Sequence, residues 1–207
     1  MNSLSQAHRR ELEASAISSE VIAERGYRTI SDPRDLPGHF TGAQRRLDGL
    51  VIPIANTQGE IVSHQLKPRN PRTFDKRIAK YEFAKAGVVC LDVPAQSRGY
   101  LDNSDVDLWI TEGAKKVDSG LSNGLPCIIG VQGVWMWQQR GVALPDWRDI
   151  QLRDRTVIIA FDSDVMVKDS VRQALTGLSS HLQHCGATVK YCLLPGAIKN
   201  EREGERR

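Results

Sequence analysis

The chain has 207 residues, of which 40% are hydrophobic, so it can bury one sizeable core, or one domain together with a smaller one. Its formal net charge is only +3, which gives weak support for a nucleic-acid partner. The four cysteines show no CxxC spacing, which argues against a zinc ribbon. No targeting segment and no apolar run of ~18 residues are present, so we expect a cytoplasmic protein without a membrane partner.

Residues 1–49 are predicted to form a helical segment and a linker. Apolar residues recur at roughly helical spacing between residues 4 and 26, and Ser18 is a typical N-cap for a second short helix that Gly26 would end. Residues 31–49 are rich in proline and glycine and indicate a loop or a connection between subdomains.

Residues 50–100 are predicted to form a basic subdomain that contains a β-hairpin. Two strand-like runs flank a polar turn at Gly59. Residues 67–80 carry six positive side chains against one acid, Asp75, a net charge of +5. The positive residues are Lys67, Arg69, Arg72, Lys76, Arg77 and Lys80. Such a run is usually a solvated, flexible loop; the alternative is a phosphate-contacting loop, with Phe74 and Tyr81 available to stack on bases.

From residue 88 onward, apolar runs alternate with helical segments. Strands are predicted at 88–93, 108–111, 127–129, 157–161 and 189–194, and helices at 113–123 and 168–185. This alternation predicts an α/β domain over residues 101–196 with a parallel sheet flanked by helices. Residues 197–207 contain nothing to bury and are expected to form a charged, disordered tail.

Carboxylates follow two of the predicted strands. Glu112 ends one strand, and Asp162 and Asp164 follow another. The carboxyl ends of parallel strands meet at the ligand-binding edge of an open sheet, so these three side chains are expected to lie together. Carboxylates repel one another without a cation between them, and such oxygen ligands suit Mg²⁺ (or Mn²⁺) bound with phosphates. Glu112 alone has a second interpretation, an acid that interacts with a helix dipole.

The residues after Glu112 add features that suit an anion. Gly113 lets a phosphate approach the start of the next helix, and Lys115 and Lys116 lie one turn further on. Two exposed helix lysines are an equally good interpretation. Asp118 is expected to cap and solvate its helix rather than join the acidic cluster.

Tryptophans follow the strand predicted at 127–129. Trp137 is expected to pack against the inserted segment 138–150. Trp135 has two open interpretations, packing against the same insert or stacking on a nucleic-acid base.

Two motifs resemble those of the Toprim domain, the fold shared by bacterial-type primases, topoisomerases and certain nucleases. Residues 111–118 (Thr-Glu-Gly-Ala-Lys-Lys-Val-Asp) are similar to the Glu-Gly motif, and residues 161–164 (Phe-Asp-Ser-Asp) to the DxD motif. The hairpin and the Lys80-Tyr81 pair upstream are similar to the N-terminal subdomain of the primase catalytic core. The resemblance covers about residues 12–196. It is closest to the primase-like Toprim proteins of phages, plasmids and other mobile elements.

The resemblance implies a Toprim (Rossmann-like) parallel sheet flanked by helices, with a small N-terminal α+β subdomain. It implies a magnesium-dependent, primase-like nucleotidyltransferase that acts on single-stranded DNA in the replication of a mobile element. Glu112, Asp162 and Asp164 would be the catalytic and metal-binding residues. The residues that would contact template or nucleotide are Lys67, Arg69, Arg72, Lys76, Arg77, Lys80, Tyr81, Gly113, Lys115 and Lys116. Nucleotides, single-stranded DNA and a helicase acting in trans are the implied partners.

Two alternatives to a primase remain open. A Toprim nuclease would use the same metal ions to activate water. A catalytically inactive Toprim module would keep the fold and bind nucleic acid only, and the charged tail in place of the acidic patch that primases usually carry favours it.

Overall fold

The fold combines an antiparallel sheet with a parallel sheet, as seen in a computed structural model that describes residues 3–74, 77–161 and 169–192. Helices flank the parallel sheet, which confirms the predicted α/β class. Every helix within the described residues is too short or too polar to span a lipid bilayer.

Two short helices precede the first strand, as predicted. They are α1 (Gln6–Glu13) and α2 (Ser19–Arg25). Ser5 and Ser18 cap them, because each serine side chain accepts a hydrogen bond from a backbone N–H of the first turn. Gly26 ends α2 in the left-handed conformation, with a φ of 75°. The buried faces of both helices pack against one face of the antiparallel sheet.

Six strands occupy the first half of the chain. They are β1 (Arg28–Ile30), β2 (Gly49–Ala55), β3 (Ile61–Pro68), β4 (Thr73–Phe74), β5 (Arg77–Ile78) and β6 (Glu82–Phe83). The strand order of the antiparallel sheet is β1-β2-β3-β6, while β4 and β5, among the described strands, pair with each other alone. The β2–β3 hairpin was predicted. β1 was not, since three residues are too few to show a period.

The segment predicted as a strand at residues 88–93 does not form one. After β6 the chain makes a turn at residues 85–87 and then runs without regular structure to the short helix α3 (Ala95–Arg98). Within 88–93 it makes one bridge to another described residue, between Asp92 and Gly130. The N–H of Val93 donates instead to the carbonyl of Ala55, at the end of β2. This segment therefore divides its hydrogen bonds between the two sheets, so a ladder with either one cannot form.

The second half of the chain contains the parallel sheet. Its elements are β7 (Leu108–Glu112), α4 (Ala114–Ser122), β8 (Ile128–Val131), β9 (Gln138–Gln139), β10 (Val142–Ala143), β11 (Thr156–Ala160), α5 (Asp169–His184) and β12 (Thr188–Tyr191). The order is β12-β11-β7-β8 with all neighbours parallel, while β9 and β10 form a separate hairpin. The core side chains of this half come from the sheet, α5 and the insert between β8 and β11.

The strand predicted as buried at 189–194 lies at an edge of the sheet. Among the described strands β12 has a neighbour on one side only, and Tyr191 is 51% exposed. Residues 193–194 and the tail 197–207 lie outside the described residues. The predicted packing of Trp137 against the insert is confirmed, because Trp137 shares a core cluster with Leu144 and Trp147, and Nε1 of Trp147 donates to its carbonyl at 2.9 Å. The domain boundaries stay predictions.

Candidate nucleic-acid and nucleotide site

Glu112 ends β7 at the carboxyl edge of the parallel sheet. On one side it pairs with Val131 of β8. On the other side Thr111 pairs with Ala160 of β11, and its hydroxyl donates to the Ala160 carbonyl at 2.8 Å. Asp162 and Asp164 follow Ala160 in the sequence but lie outside the described residues. The meeting of three carboxylates at this edge therefore stays a prediction.

Gly113 opens the N-terminus of α4 to the space beyond the sheet. Its φ of 85° suits glycine, and a Cβ built at this position has no neighbour within 4 Å. Its N–H donates to the carbonyl of Val131 at 3.0 Å, which fixes the turn between β7 and α4. The first N–H groups of α4 therefore start beside unfilled space, as an approaching anion requires.

A cavity of about 310 Å³ lies between the antiparallel sheet and the carboxyl edge of the parallel sheet. The residues that line it are Gln65, Tyr81, Phe83, Glu112, Gly113, Ala114, Lys115, Lys116 and Gln132. Five of these, from Tyr81 in one half to Lys116 in the other, were selected from the sequence as site residues. We call this space the intersheet cavity. The other four, Gln65, Phe83, Ala114 and Gln132, were missed, because apolar and amide side chains carry no signal of their own.

Glu11 of α1 joins the two sides of this site. Its Oε1 atom accepts hydrogen bonds from the ammonium groups of Lys115, at 2.8 Å, and Lys67, at 2.7 Å. Burial by itself would raise the pKa of Glu11, but the two lysines outweigh it, so the pKa lies below its ordinary value. Nothing in the sequence singles out Glu11, since a helix glutamate is usually solvated.

Tyr81 is half-buried beside the intersheet cavity. Its ring packs against the core beneath α1 and α2. Burial raises the pKa of its hydroxyl, and the charge of Glu11 raises it further. Tyr81 is therefore a neutral, partly accessible aromatic ring next to Lys115 and Glu112 in the cavity wall.

Carboxylates hold other side chains of the basic run. Arg69 pairs with Asp48 at 3.2 Å, and Nε of Arg72 donates to Glu82 at 2.7 Å. Lys80 is exposed beside Tyr81. Lys76 lies outside the described residues, and the side chain of Arg77 is not among those described. The β4–β5 hairpin gives the run a defined backbone within the described residues, whereas a flexible loop was the first interpretation.

Asp118 lies in a buried ion-pair network, and the expectation that it caps and solvates its helix was wrong. It is 0% exposed, and Nε of Arg25 donates to both of its oxygens at 3.0 Å. The hydroxyl of Tyr27 donates to it as well, at 2.5 Å. Arg25 also pairs with Asp92 at 2.6 Å, and burial raises the pKa of Asp92. Asp118 thus serves the core between α2 and α4 and does not join Glu112.

Donors for a metal ion are incomplete in the part of the chain that the structure describes. No group of three or more histidine, cysteine or acidic side chains is close enough there to hold an ion. Glu112 supplies one hard oxygen donor, and the two aspartates predicted to join it fall in the undescribed residues 162–168. The donor chemistry suits Mg²⁺, which prefers carboxylate oxygens, and the magnesium site stays a prediction.

Comparison with known families gives one sequence match. The profile of a domain of unknown function, DUF3854, matches residues 98–202, which is 105 of the 207 residues. The chain belongs to the DUF3854 family. The matched residues of this DUF3854 protein include β7, α4, β8, β11, α5 and β12, the elements of its parallel sheet. No curated protein matches it in sequence.

Solved structures similar to the DUF3854 protein are primase catalytic cores. The Aquifex aeolicus primase (zinc-binding and RNA polymerase domains) is 15% identical, with a TM-score of 0.64 over 93% of this chain and 51% of that one. The E. coli primase catalytic core is 17% identical, with a TM-score of 0.59 over 92% and 66% of the two chains. A DnaG primase catalytic domain bound to single-stranded DNA is 16% identical, with a TM-score of 0.59 over 93% and 67%.

These comparisons confirm the predicted resemblance at the level of the fold. The DUF3854 protein has the fold of a DnaG-type primase catalytic core. It spans about half the length of the Aquifex aeolicus chain.

Proposed function

We propose that the protein is a magnesium-dependent, primase-like nucleotidyltransferase that acts on single-stranded DNA. The observation that carries the proposal is the intersheet cavity, whose wall combines the carboxylate of Glu112, the open helix start at Gly113, two lysines and the ring of Tyr81. Carboxylate, cation and aromatic groups around one space suit a nucleotide or a strand end, which offers phosphates and a base together.

The residues of the cavity would have different roles in binding and catalysis. Lys115 and Lys116 would attract and orient phosphates near the N-terminus of α4, while Tyr81 would offer its ring to a base. Glu112, with Asp162 and Asp164, would hold Mg²⁺ (or Mn²⁺). When bound, the metal would neutralise phosphate charge and favour ionisation of the attacking hydroxyl. Lys80 and the basic run would guide the strand toward the cavity.

The expected partners follow from the same surface. Single-stranded DNA and nucleotides are the ligands that suit a basic, partly aromatic cleft. One similar structure is a primase catalytic domain bound to single-stranded DNA, which supports the proposal by analogy of fold. A role in the replication of a mobile element, with a helicase in trans, rests on the motif resemblance.

A turnover assay tests the proposal. The protein is mixed with single-stranded DNA, labelled nucleotides and Mg²⁺, and the products are resolved by size. We expect short new oligomers from the wild type, and a loss of about 100-fold or more in Glu112→Gln, which keeps the shape of the side chain but removes its charge. Asp162→Ala should abolish the product. Asp102→Asn, which changes an exposed acid before the start of β7, whereas Glu112 ends that strand, is the control and should retain it.

Two other results would assign a different function to the protein. Shortened input DNA that depends on Mg²⁺ and on Glu112 would identify a nuclease. Salt-sensitive binding of DNA without turnover or any effect of Mg²⁺ would identify a binding module.

A further inference from the structure

Glu11 occupies a position between two cations of the proposed phosphate-binding surface. Lys67 is on β3, two residues after Gln65 of the cavity wall, and Lys115 is in the first turn of α4. Residues i and i+2 of a strand face the same side, so Lys67 shares the side of β3 that carries Gln65. Two separate elements thus direct ammonium groups to one carboxylate.

The two ammonium groups need an anion between them. Both hydrogen bonds end on the same atom, Oε1 of Glu11, so the lysine nitrogens are no further apart than two hydrogen-bond lengths. Like charges this close repel unless a negative group separates them. In this structure that group is a carboxylate of the protein itself. A phosphate of a nucleic-acid strand carries the same charge and more acceptor oxygens.

The position of Glu11 is fixed by its helix, while the lysines can move. Leu12, the next residue, is 0% exposed in the core. At the start of α1, the backbone N–H of Ser5 donates to the hydroxyl of Thr29 at 2.8 Å, and Nδ1 of His8 lies at the same distance from that hydroxyl. Lysine side chains have flexible four-carbon stems and readily change partner. An arriving phosphate can therefore draw the lysines from Glu11 without moving α1.

Solvent reaches this contact, as exchange of partners requires. The Glu11 side chain is 30% exposed and that of Lys67 is 35% exposed. We propose that Glu11 is a built-in competitor of nucleic-acid phosphate, which holds Lys67 and Lys115 until the backbone of a single strand displaces it. The inference rests on the proposed function and adds to it a residue that sets the affinity for DNA.

The test compares two glutamates of the same helix. Glu11→Gln removes the carboxylate from the lysines, while Glu13→Gln makes the same charge change at an exposed position of α1. Binding of a labelled oligothymidine is measured without Mg²⁺ at several salt concentrations, so turnover plays no part. We expect Glu11→Gln to bind about 3- to 10-fold more tightly than Glu13→Gln. The slope of log K against log salt should be steeper by about 0.7 to 1.4, equivalent to one or two additional phosphate contacts.

A second ligand separates this inference from the proposed function. Inorganic polyphosphate offers the same charge without bases, and it is titrated against the wild type, Glu11→Gln and Glu13→Gln. Tighter binding of both ligands by Glu11→Gln supports the proposed role of Glu11 as a competitor. Tighter binding of polyphosphate alone, with no binding of oligothymidine by any of the proteins, would show that Glu11 competes with phosphate in general. It would overturn both the displacement of Glu11 by a nucleic-acid strand and the DNA-based function.

Equal or weaker binding of both ligands by Glu11→Gln, relative to Glu13→Gln, overturns the proposed role of Glu11 as a competitor, even if the wild type binds DNA. Thermal unfolding checks that each variant is folded at the assay temperature. If Glu11→Gln is unfolded at that temperature, Glu11→Asp replaces it in the test, because aspartate keeps the charge but reaches less far toward the lysines. We expect Glu11→Asp to bind more tightly as well, and unchanged binding by this variant overturns the inference.

Discussion

Single ionisable residues carry much of the chemistry of this chain, and burial decides how they behave. His64 on β3 is 7% exposed, and its Nδ1 atom lies 2.9 Å from Nδ1 of His39. In a hydrogen bond between these nitrogens one donates and the other accepts, with the roles set by the tautomer. Burial, and then the charges of His39 and Arg28, lower the pKa of His64 from 6.5 to about 4.

This lowered pKa makes the stability of the protein depend on pH. Between pH 6.5 and about 4, the unfolded chain takes up a proton at His64 and the folded chain does not. The contribution of His64 to the stability of the fold is therefore complete above pH 6.5 and is lost as the pH falls. We expect the free energy of unfolding to fall by up to about 1.4 kcal/mol per pH unit from this residue. Urea titrations across this range should show a shallower pH profile for His64→Gln.

His184, exposed at the end of α5, provides the matched control. His184→Gln should keep the pH profile of the wild type. Parallel pH profiles of the free energy of unfolding for the wild type and His64→Gln would contradict the lowered pKa of His64.

At the scale of elements, a buried arginine fixes the loop before β7. Arg155 precedes β11 and is 0% exposed. Its guanidinium donates to the carbonyls of Tyr100, Leu101 and Val106 at 2.8 to 2.9 Å. The planar group presents five N–H donors at fixed angles, so one side chain can bond to three carbonyls of the loop at once. The carbonyls of Tyr100 and Leu101 also accept from the backbone N–H groups of Asn103 and Gln151.

Replacement of Arg155 by lysine should therefore be costly although the charge is kept. An ammonium group cannot reach all three carbonyls along the loop, so hydrogen bonds from a buried cation would be lost. We expect Arg155→Lys to lower the free energy of unfolding by about 2 to 4 kcal/mol, measured by urea denaturation. Arg153→Lys, two residues away and exposed, should change it by less than about 0.5 kcal/mol. Equal effects of the two substitutions would show that the hydrogen bonds of Arg155 add nothing.

At the scale of the whole molecule, the buried network of Arg25, Tyr27, Asp92 and Asp118 joins the two halves. It connects α2 to α4 and to the segment around Asp92, which bonds to both sheets. One of these elements borders the intersheet cavity, since α4 carries Lys115 and Lys116. The network therefore fixes the position of α4, which forms one wall of the site.

Removal of one member should break the network rather than relax it. Asp118→Ala would leave the guanidinium of Arg25 with one carboxylate fewer in a dry core. We expect a loss of about 3 to 5 kcal/mol in the free energy of unfolding, measured by urea denaturation. Asp105→Ala, an exposed acid in the loop before β7, should have little effect. A loss below about 1 kcal/mol for Asp118→Ala would mean that packing alone holds the halves together.

The sequence by itself determined the fold class and the acidic strand end. Buried strands and amphipathic helices leave periodic patterns within a few residues, so the parallel sheet, α4 and α5 were predictable. Glu112 and Gly113 were also predictable, because a strand end is a local feature. The segment at 88–93 has the same apolar pattern as a strand, but its neighbours are the ends of other strands, which no local pattern shows.

Only the tertiary structure decided which charges are neutralised and by what. The contact of Arg25 with Asp118 joins residues 93 positions apart, and that of Lys115 with Glu11 joins residues 104 positions apart. Charged side chains look alike in a sequence whether they meet solvent, a phosphate or a buried partner. Their role depends on the dielectric surroundings and on nearby charges, and those are set when distant elements pack together.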